Sequence, residues 1–212
     1  MTCPHCIFSC TSATKDGKDM SVDAIKTAIR LAEKTQRCLC IGGGEPTVHS
    51  QFWEVLGLAL DSKIPRIWMG VNGKKTRRTL ALLDMHSKDP RGRVKIMVSR
   101  DEWHDVIDPS IFEKCEQVGA EIRTNARVSK NGFAIANNLY NTTDCECPDL
   151  HIHVDGGVKV CACDDAPVLW NIYESDITED AARCISVMGR RRGCHTHWTQ
   201  KQKDIFYDRL HR

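Results

Sequence analysis

From residue 22 to residue 128 the chain alternates between helical and extended apolar spacing, and few architectures accept that order. Val22, Ile25, Ile29 and Ala32 recur at helical spacing behind Ser21, a residue type suited to an N-cap. Cys38 to Ile41 is a short apolar run ending in Gly42-Gly43-Gly44, a strand running into a tight loop. Phe52 to Leu60 reads as a second helix, Ile64 to Val71 as a strand closed by Asn72-Gly73, and residues 76–87 as a helix. Val94, Ile96 and Val98 alternate as a strand. Asp108-Pro109 starts another helix, with a cap followed by proline at the first helical position and an apolar face of Ile111, Cys115 and Val118. Ile122, Thr124, Ala126 and Val128 alternate as a further strand. This succession predicts an α/β fold with a parallel sheet, four strands of which fall between residues 38 and 128, joined by crossover helices. Sites in such folds lie at the carboxyl ends of the strands. That rule gathers the Gly42–Glu45 loop, Asn72 and Ser99 at one rim.

The pattern changes after residue 130. Leu150, Ile152 and Val154, then Asp155-Gly156-Gly157, then Val158 and Val160, predict a β-hairpin around a glycine turn. Residues 174–212 read as helical and basic, and Arg190-Arg191-Arg192 as part of a solvated face. No apolar stretch approaches the roughly 20 residues a membrane span requires. The start, Met1-Thr2-Cys3-Pro4-His5-Cys6, lacks the basic and apolar segments of a signal peptide, so a cytoplasmic protein without membrane association is expected. A net charge of +2 argues against a molecule built to coat nucleic acid.

Cysteine usage is the anomaly: twelve in 212 residues. In a reducing compartment, clustered cysteines are metal ligands or catalytic groups rather than a disulfide framework. Cys3, Cys6 and Cys10 crowd the N-terminus. Three thiolates within eight residues can wrap one face of an iron–sulfur cubane and leave one iron open; a zinc site or a redox Cys-x-x-Cys are the alternatives. Cys145-Glu146-Cys147 and Cys161-Ala162-Cys163 bracket the hairpin. Residues two apart on a strand point to one face, so each pair presents two thiolates, and the hairpin brings the pairs together. Four thiolates suit either an iron–sulfur cluster or tetrahedral zinc.

Gly42-Gly43-Gly44-Glu45-Pro46-Thr47 directly follows a strand. Glycines permit positive φ and let the backbone come close to a ligand, and a carboxylate beside open backbone groups could hold an amino-acid-like molecule. A cysteine cluster, a helix, a strand and then Gly-Gly-Glu-Pro, in that order, resembles the radical S-adenosylmethionine (radical SAM) enzymes. The resemblance covers residues 1–130 and rests on Cys3–Cys10 and residues 42–47. It implies a partial (β/α) barrel over residues 1–135, with residues 136–212 as a cysteine-rich β-hairpin extension. It further implies a [4Fe-4S] cluster on Cys3, Cys6 and Cys10, and SAM bound against Gly43, Gly44, Glu45 and Pro46, with Asn72 and Ser99 lining its pocket. The short stretch through Cys161 and Cys163 resembles the extensions in which such enzymes hold an auxiliary cluster, with Cys145 and Cys147 as the other ligands. A reductant such as flavodoxin or ferredoxin is implied as partner, and a peptide is the lead for a substrate. Trp103, His104 and Asp105 follow the third strand of the sheet and are candidates to line its pocket.

The cysteine spacing departs from the family's C-x3-C-x2-C. Here it is C-x2-C-x3-C. Either Cys3, Cys6 and Cys10 form a variant triad, or Cys3 and Cys6 are the second and third ligands and the first precedes Met1. The barrel's usual first strand is also missing, which favours an upstream extension of about ten residues with a cysteine four positions before Cys3. Two other classes remain open: a zinc-binding scaffold or nucleic-acid-binding module without catalysis, and a degenerate, inactive radical SAM fold. The Gly-Gly-Glu-Pro loop discriminates, since a zinc scaffold has no use for it.

Overall fold

A computed structural model describes residues 3–6, 8, 19–35, 38–124, 128, 132–141, 150–159, 161, 163, 166–174, 199–201, 204 and 208. The chain divides into two compact units. One is built around Arg37–Arg127; the other joins His5–Ser9, Lys18–Gln36 and Val128–Arg212.

The first unit is a mixed α/β layer. Its strands β1 (Cys38–Ile41), β2 (Arg66–Val71), β3 (Val94–Ser99) and β4 (Glu121–Arg123) form a parallel sheet in the order β1-β2-β3-β4. Helices α2 (Phe52–Asp61), α3 (Thr76–Lys88) and α4 (Pro109–Val118) connect them. Neighbouring parallel strands in chain order, joined by crossovers of one hand, send every helix to the same face. The core shows this result. Ile41, Met69, Val71, Val94, Ile96, Val98 and Ile122 pack from the strands against Phe52 and Leu56 of α2, Leu82 and Leu83 of α3, and Ile111 and Cys115 of α4. The alternate strand residues face away from the helices. They include Cys38, Cys40, Arg66, Trp68, Lys95, Ser99 and Arg123. Registers Ile41↔Met69, Val71↔Val98 and Ser99↔Arg123 bring the carboxyl ends of the four strands to one rim.

Local chemistry fixes the ends of these elements. Asp108 caps α4 by accepting from the Ser110 N–H at 3.0 Å, with Pro109 behind it, and Gly119 ends the helix at φ +67°. Asp89 closes the α3–β3 turn, accepting from the Arg91 and Val94 N–H groups at 3.1 and 2.8 Å. Buried Arg93 donates to the carbonyls of Leu60 and Ser62 at 3.1 and 3.0 Å, which ties the end of α2 to the start of β3. Of the residues expected to continue the last strand, Thr124 and Val128 are not part of it, and Ala126 lies outside the described residues. The ladder stops where β3 stops, at Ser99 opposite Arg123.

The second unit contains α1 (Val22–Thr35), the short α5 (Gly132–Ala136) and an antiparallel sheet of β5 (His151–Ile152), β6 (Gly157–Lys159) and β7 (Val168–Asn171). The Ser21 hydroxyl accepts from the Ala24 N–H at 3.2 Å, the cap expected for α1. The hairpin turns at Gly156, where φ is +84°, and the Asp155 carboxylate accepts from the Gly157 N–H at 2.9 Å. The sequence did not announce β7. Ala24 and Leu31 of α1 pack on Val158 and Ile172, with Met20, Ala28, Ile152 and Trp170 around them. The helix that precedes β1 in the chain therefore belongs to the antiparallel sheet's core. The expected helical segment 174–212 lies almost wholly outside the described residues. No described helix is long and apolar enough to cross a membrane.

Candidate functional site

The rim of the parallel sheet is built from three loops. The first, after β1, is Gly42-Gly43-Gly44-Glu45. All three glycines are exposed. Gly43 adopts φ +104°, and a Cβ added at Gly42 or Gly43 would meet nothing within 4 Å. The backbone there is open to a ligand, and a side chain at Gly43 would be strained.

Glu45 ends this loop and turns back on its neighbours. One carboxylate oxygen accepts from the Thr47 N–H at 3.1 Å and from the Thr47 hydroxyl. The other accepts from the Asn72 N–H at 2.7 Å. Pro46–Val48 follow as one 3-10 turn, with Pro46 and Thr47 buried. Burial pushes the Glu45 carboxyl above the ordinary value, while the hydrogen bonds from Thr47 and Asn72 and the His104 imidazole oppose that rise. The motif's glutamate thus fastens the β1 loop to the end of β2, 27 residues on.

The second loop is Asn72-Gly73-Lys74. The Asn72 side-chain oxygen accepts from the Lys74 N–H at 2.9 Å, an Asx turn. Gly73 sits at φ +77°, and a Cβ there would lie 2.3 Å from Ile107 Cδ1. Any other residue there would strain the backbone and push the Ile107 side chain aside. Val71 pairs with Val98, so Asn72 and Ser99 are the next residues of adjacent strands; Ser99 is half-buried and pairs with Arg123.

The third loop follows β3. Asp101 organises it: its Oδ1 accepts from the Trp103 N–H at 3.0 Å and lies 2.6 Å from His104 Nδ1. The Asp101 and His104 side chains are 5% and 13% exposed, a dyad held inside the protein. Lys74 and Asp105 form an ion pair between the second and third loops. Of the three residues after β3 that the sequence singled out, His104 is held by Asp101 and Asp105 by Lys74, while Trp103 is half-buried. Asp101 was missed. The signal was present as an aspartate three residues before a histidine at a strand's carboxyl end.

The cysteines are only partly described. Pro4 and His5 form a turn, and Cys3 and Cys6 on either side of it are half-buried. Cysteine thiolates are the donors that an iron–sulfur cluster uses. In the second unit the Cys6 carbonyl accepts from the Phe133 N–H at 3.0 Å, and the Phe8 ring lies 5.8 Å from that of His151. Cys161 is buried and Cys163 half-buried, just beyond β6. Cys10, Cys145 and Cys147 lie outside the described residues.

No family model matches the chain, and no solved structure matches it. A segment of 60 residues, 28% of the chain, is 40% identical to the mycofactocin maturase MftC of Mycolicibacterium smegmatis. The match spans 15% of that protein's length.

Proposed function

We propose that the chain is a radical SAM enzyme. The observation that carries this reading is the β1 loop: exposed glycines on open backbone, ended by a carboxylate fastened to the next strand. Such a loop offers hydrogen-bonding groups to the amino-acid end of SAM, with Gly43, Gly44, Glu45 and Pro46 on one side and Asn72 and Ser99 on the other. The placement of α2, α3 and α4 on a single face of the sheet supports a sector of a (β/α) barrel within residues 1–135, whose inner face is the one without helices. Residues 136–212 are then the cysteine-bearing extension. The 60-residue likeness to a maturase supports a modifying enzyme.

On this reading Cys3, Cys6 and Cys10 hold a [4Fe-4S] cluster, and Cys145, Cys147, Cys161 and Cys163 hold an auxiliary cluster or zinc. With both bound, cluster and SAM supply reductive cleavage of the sulfonium bond and a 5′-deoxyadenosyl radical that abstracts hydrogen. The protein's own part is orientation: the glycine loop fixes the amino-acid end, and Glu45 holds the loop's shape. Flavodoxin or ferredoxin is the proposed reductant and a peptide the proposed substrate.

Anaerobic reconstitution tests the reading. The full chain should take up iron, give a [4Fe-4S] EPR signal on reduction that changes when SAM is added, and form 5′-deoxyadenosine with dithionite. Stoichiometric zinc with no iron uptake would overturn it.

A further inference from the structure

The β1 loop is held from a second side by a residue to which neither the motif nor the relative assigns a role. Arg78, the third residue of α3, donates from one Nη1 to the carbonyls of Thr47 and His49, at 2.5 and 3.1 Å. Both carbonyls lie at the end of the 3-10 turn that begins beside Glu45, and so short a turn leaves acceptors for partners from outside. The guanidinium carbon stands 5.7 Å from the centroid of the buried Phe52 ring, a contact that fixes its position. A planar cation bonded to two carbonyls over an aromatic face is a stiff brace. Glu45 pins the near end of the turn to β2 and Arg78 pins the far end to α3. The glycines are left with open space, so the pinned turn sets their backbone path.

We propose that Arg78 is a positioning residue of the glycine loop: by holding the Thr47 and His49 carbonyls it fixes the backbone against which the amino-acid end of SAM binds. This rests on the radical SAM reading and adds to it a specific determinant of cofactor affinity. Arg77, one position earlier, is exposed and carries the same charge, which makes it a control.

The test uses the full chain, reconstituted anaerobically, as wild type, Arg78→Ala, Arg78→Lys and Arg77→Ala. SAM affinity is measured by equilibrium dialysis without reductant, and 5′-deoxyadenosine formation at saturating SAM with dithionite. Amide exchange at Thr47–Phe52 is followed in the protein without SAM or cluster. Losing a charged hydrogen bond should weaken SAM binding by about tenfold in Arg78→Ala. The saturated rate should stay close to wild type, the melting temperature should fall by no more than several degrees, exchange at Thr47–Phe52 should quicken, and Arg78→Lys should recover part of the affinity. Arg77→Ala should behave as wild type. Equal affinity in Arg78→Ala and wild type would overturn the proposal, as would equal losses in the Arg77 and Arg78 variants, which would make it a matter of charge alone. A wild type that takes up iron but binds no SAM overturns the radical SAM reading instead, and unaltered exchange in Arg78→Ala would then remove the brace as well.

Discussion

At the scale of single residues, the rim depends on a few atoms whose roles differ from what their types suggest. Glu45 stood out in the sequence because its motif did, and its expected place was against the amino-acid-like ligand. What the sequence could not show is that its oxygens meet Thr47 and the backbone of Asn72, because that contact depends on the register between β1 and β2. The carboxyl is held above the ordinary value by burial. Its protonated form is therefore favoured in the folded state: its contribution to stability is complete below the unfolded value near 4.5 and is lost as pH rises through the folded pKa. Glu45→Gln, which cannot ionise, should cost more stability near pH 4 than near pH 7 in urea unfolding. A cost that grows with pH would mean that the hydrogen bonds to the carboxylate outweigh its burial. Gly73 makes a sharper case, since its φ of +77° strains any side chain and a Cβ there would have to push Ile107 Cδ1 aside. Gly73→Ala should lose about 1–3 kcal/mol. Gly92→Ala, at φ +59° but with open space around it, should lose less. Adding Ile107→Ala should return the steric part of the Gly73→Ala loss and leave the backbone part, as urea unfolding of the double variant can show.

At the scale of elements, the strands and helices of the parallel layer were legible because each carries its own punctuation. The β1 and α4 boundaries follow from Gly42 after Ile41 and from Asp108-Pro109. β4 was overestimated because alternation reports which face a residue could take, whereas a strand exists only as far as its partner extends. β7 was missed because four residues after a proline give too little periodicity to read. The α4 cap yields a prediction at this scale. Hydrogen bonds from the Ser110 hydroxyl and N–H hold the Asp108 carboxyl below its ordinary value. The stabilisation is therefore present above pH 3.8 and is lost as pH falls through the lowered value. Asp108→Ala should lower the melting temperature by a few degrees at pH 7 and by progressively less in acid, while Asp108→Asn should keep most of the cap. A loss independent of pH would assign it to something other than the carboxylate.

At the scale of the whole molecule, the division into units was the least legible feature. Amphipathic spacing in α1 announces a buried face but not what buries it, and the chain order of α1 and β1 suggested one layer for both. Instead Leu31 and Ala24 meet Val158 and Ile172, more than a hundred residues later in sequence. This decides how the second group of cysteines should be tested. A chain ending near residue 135 would remove the surface that covers α1, and should bind a hydrophobic dye and aggregate for that reason alone. Cys161→Ala/Cys163→Ala leaves that surface in place. It should stay folded and lose up to about half of the bound iron if the pairs hold a cluster, or zinc if they do not. Unchanged content of both metals would show these thiols to be ordinary side chains.

The docking of α1 also sets an order of events during synthesis. The parallel layer closes from residues contiguous in the chain, so it can assemble as soon as its last strand has left the ribosome. The helix is made before any of those strands, yet its partners follow the last of them by roughly thirty to fifty residues. At ordinary elongation speeds it waits on the order of ten seconds with an apolar stripe and no surface to cover it. Among the described helices, the first to be made is thus buried only after the parallel layer is complete, and during that interval its apolar stripe is open to a chaperone.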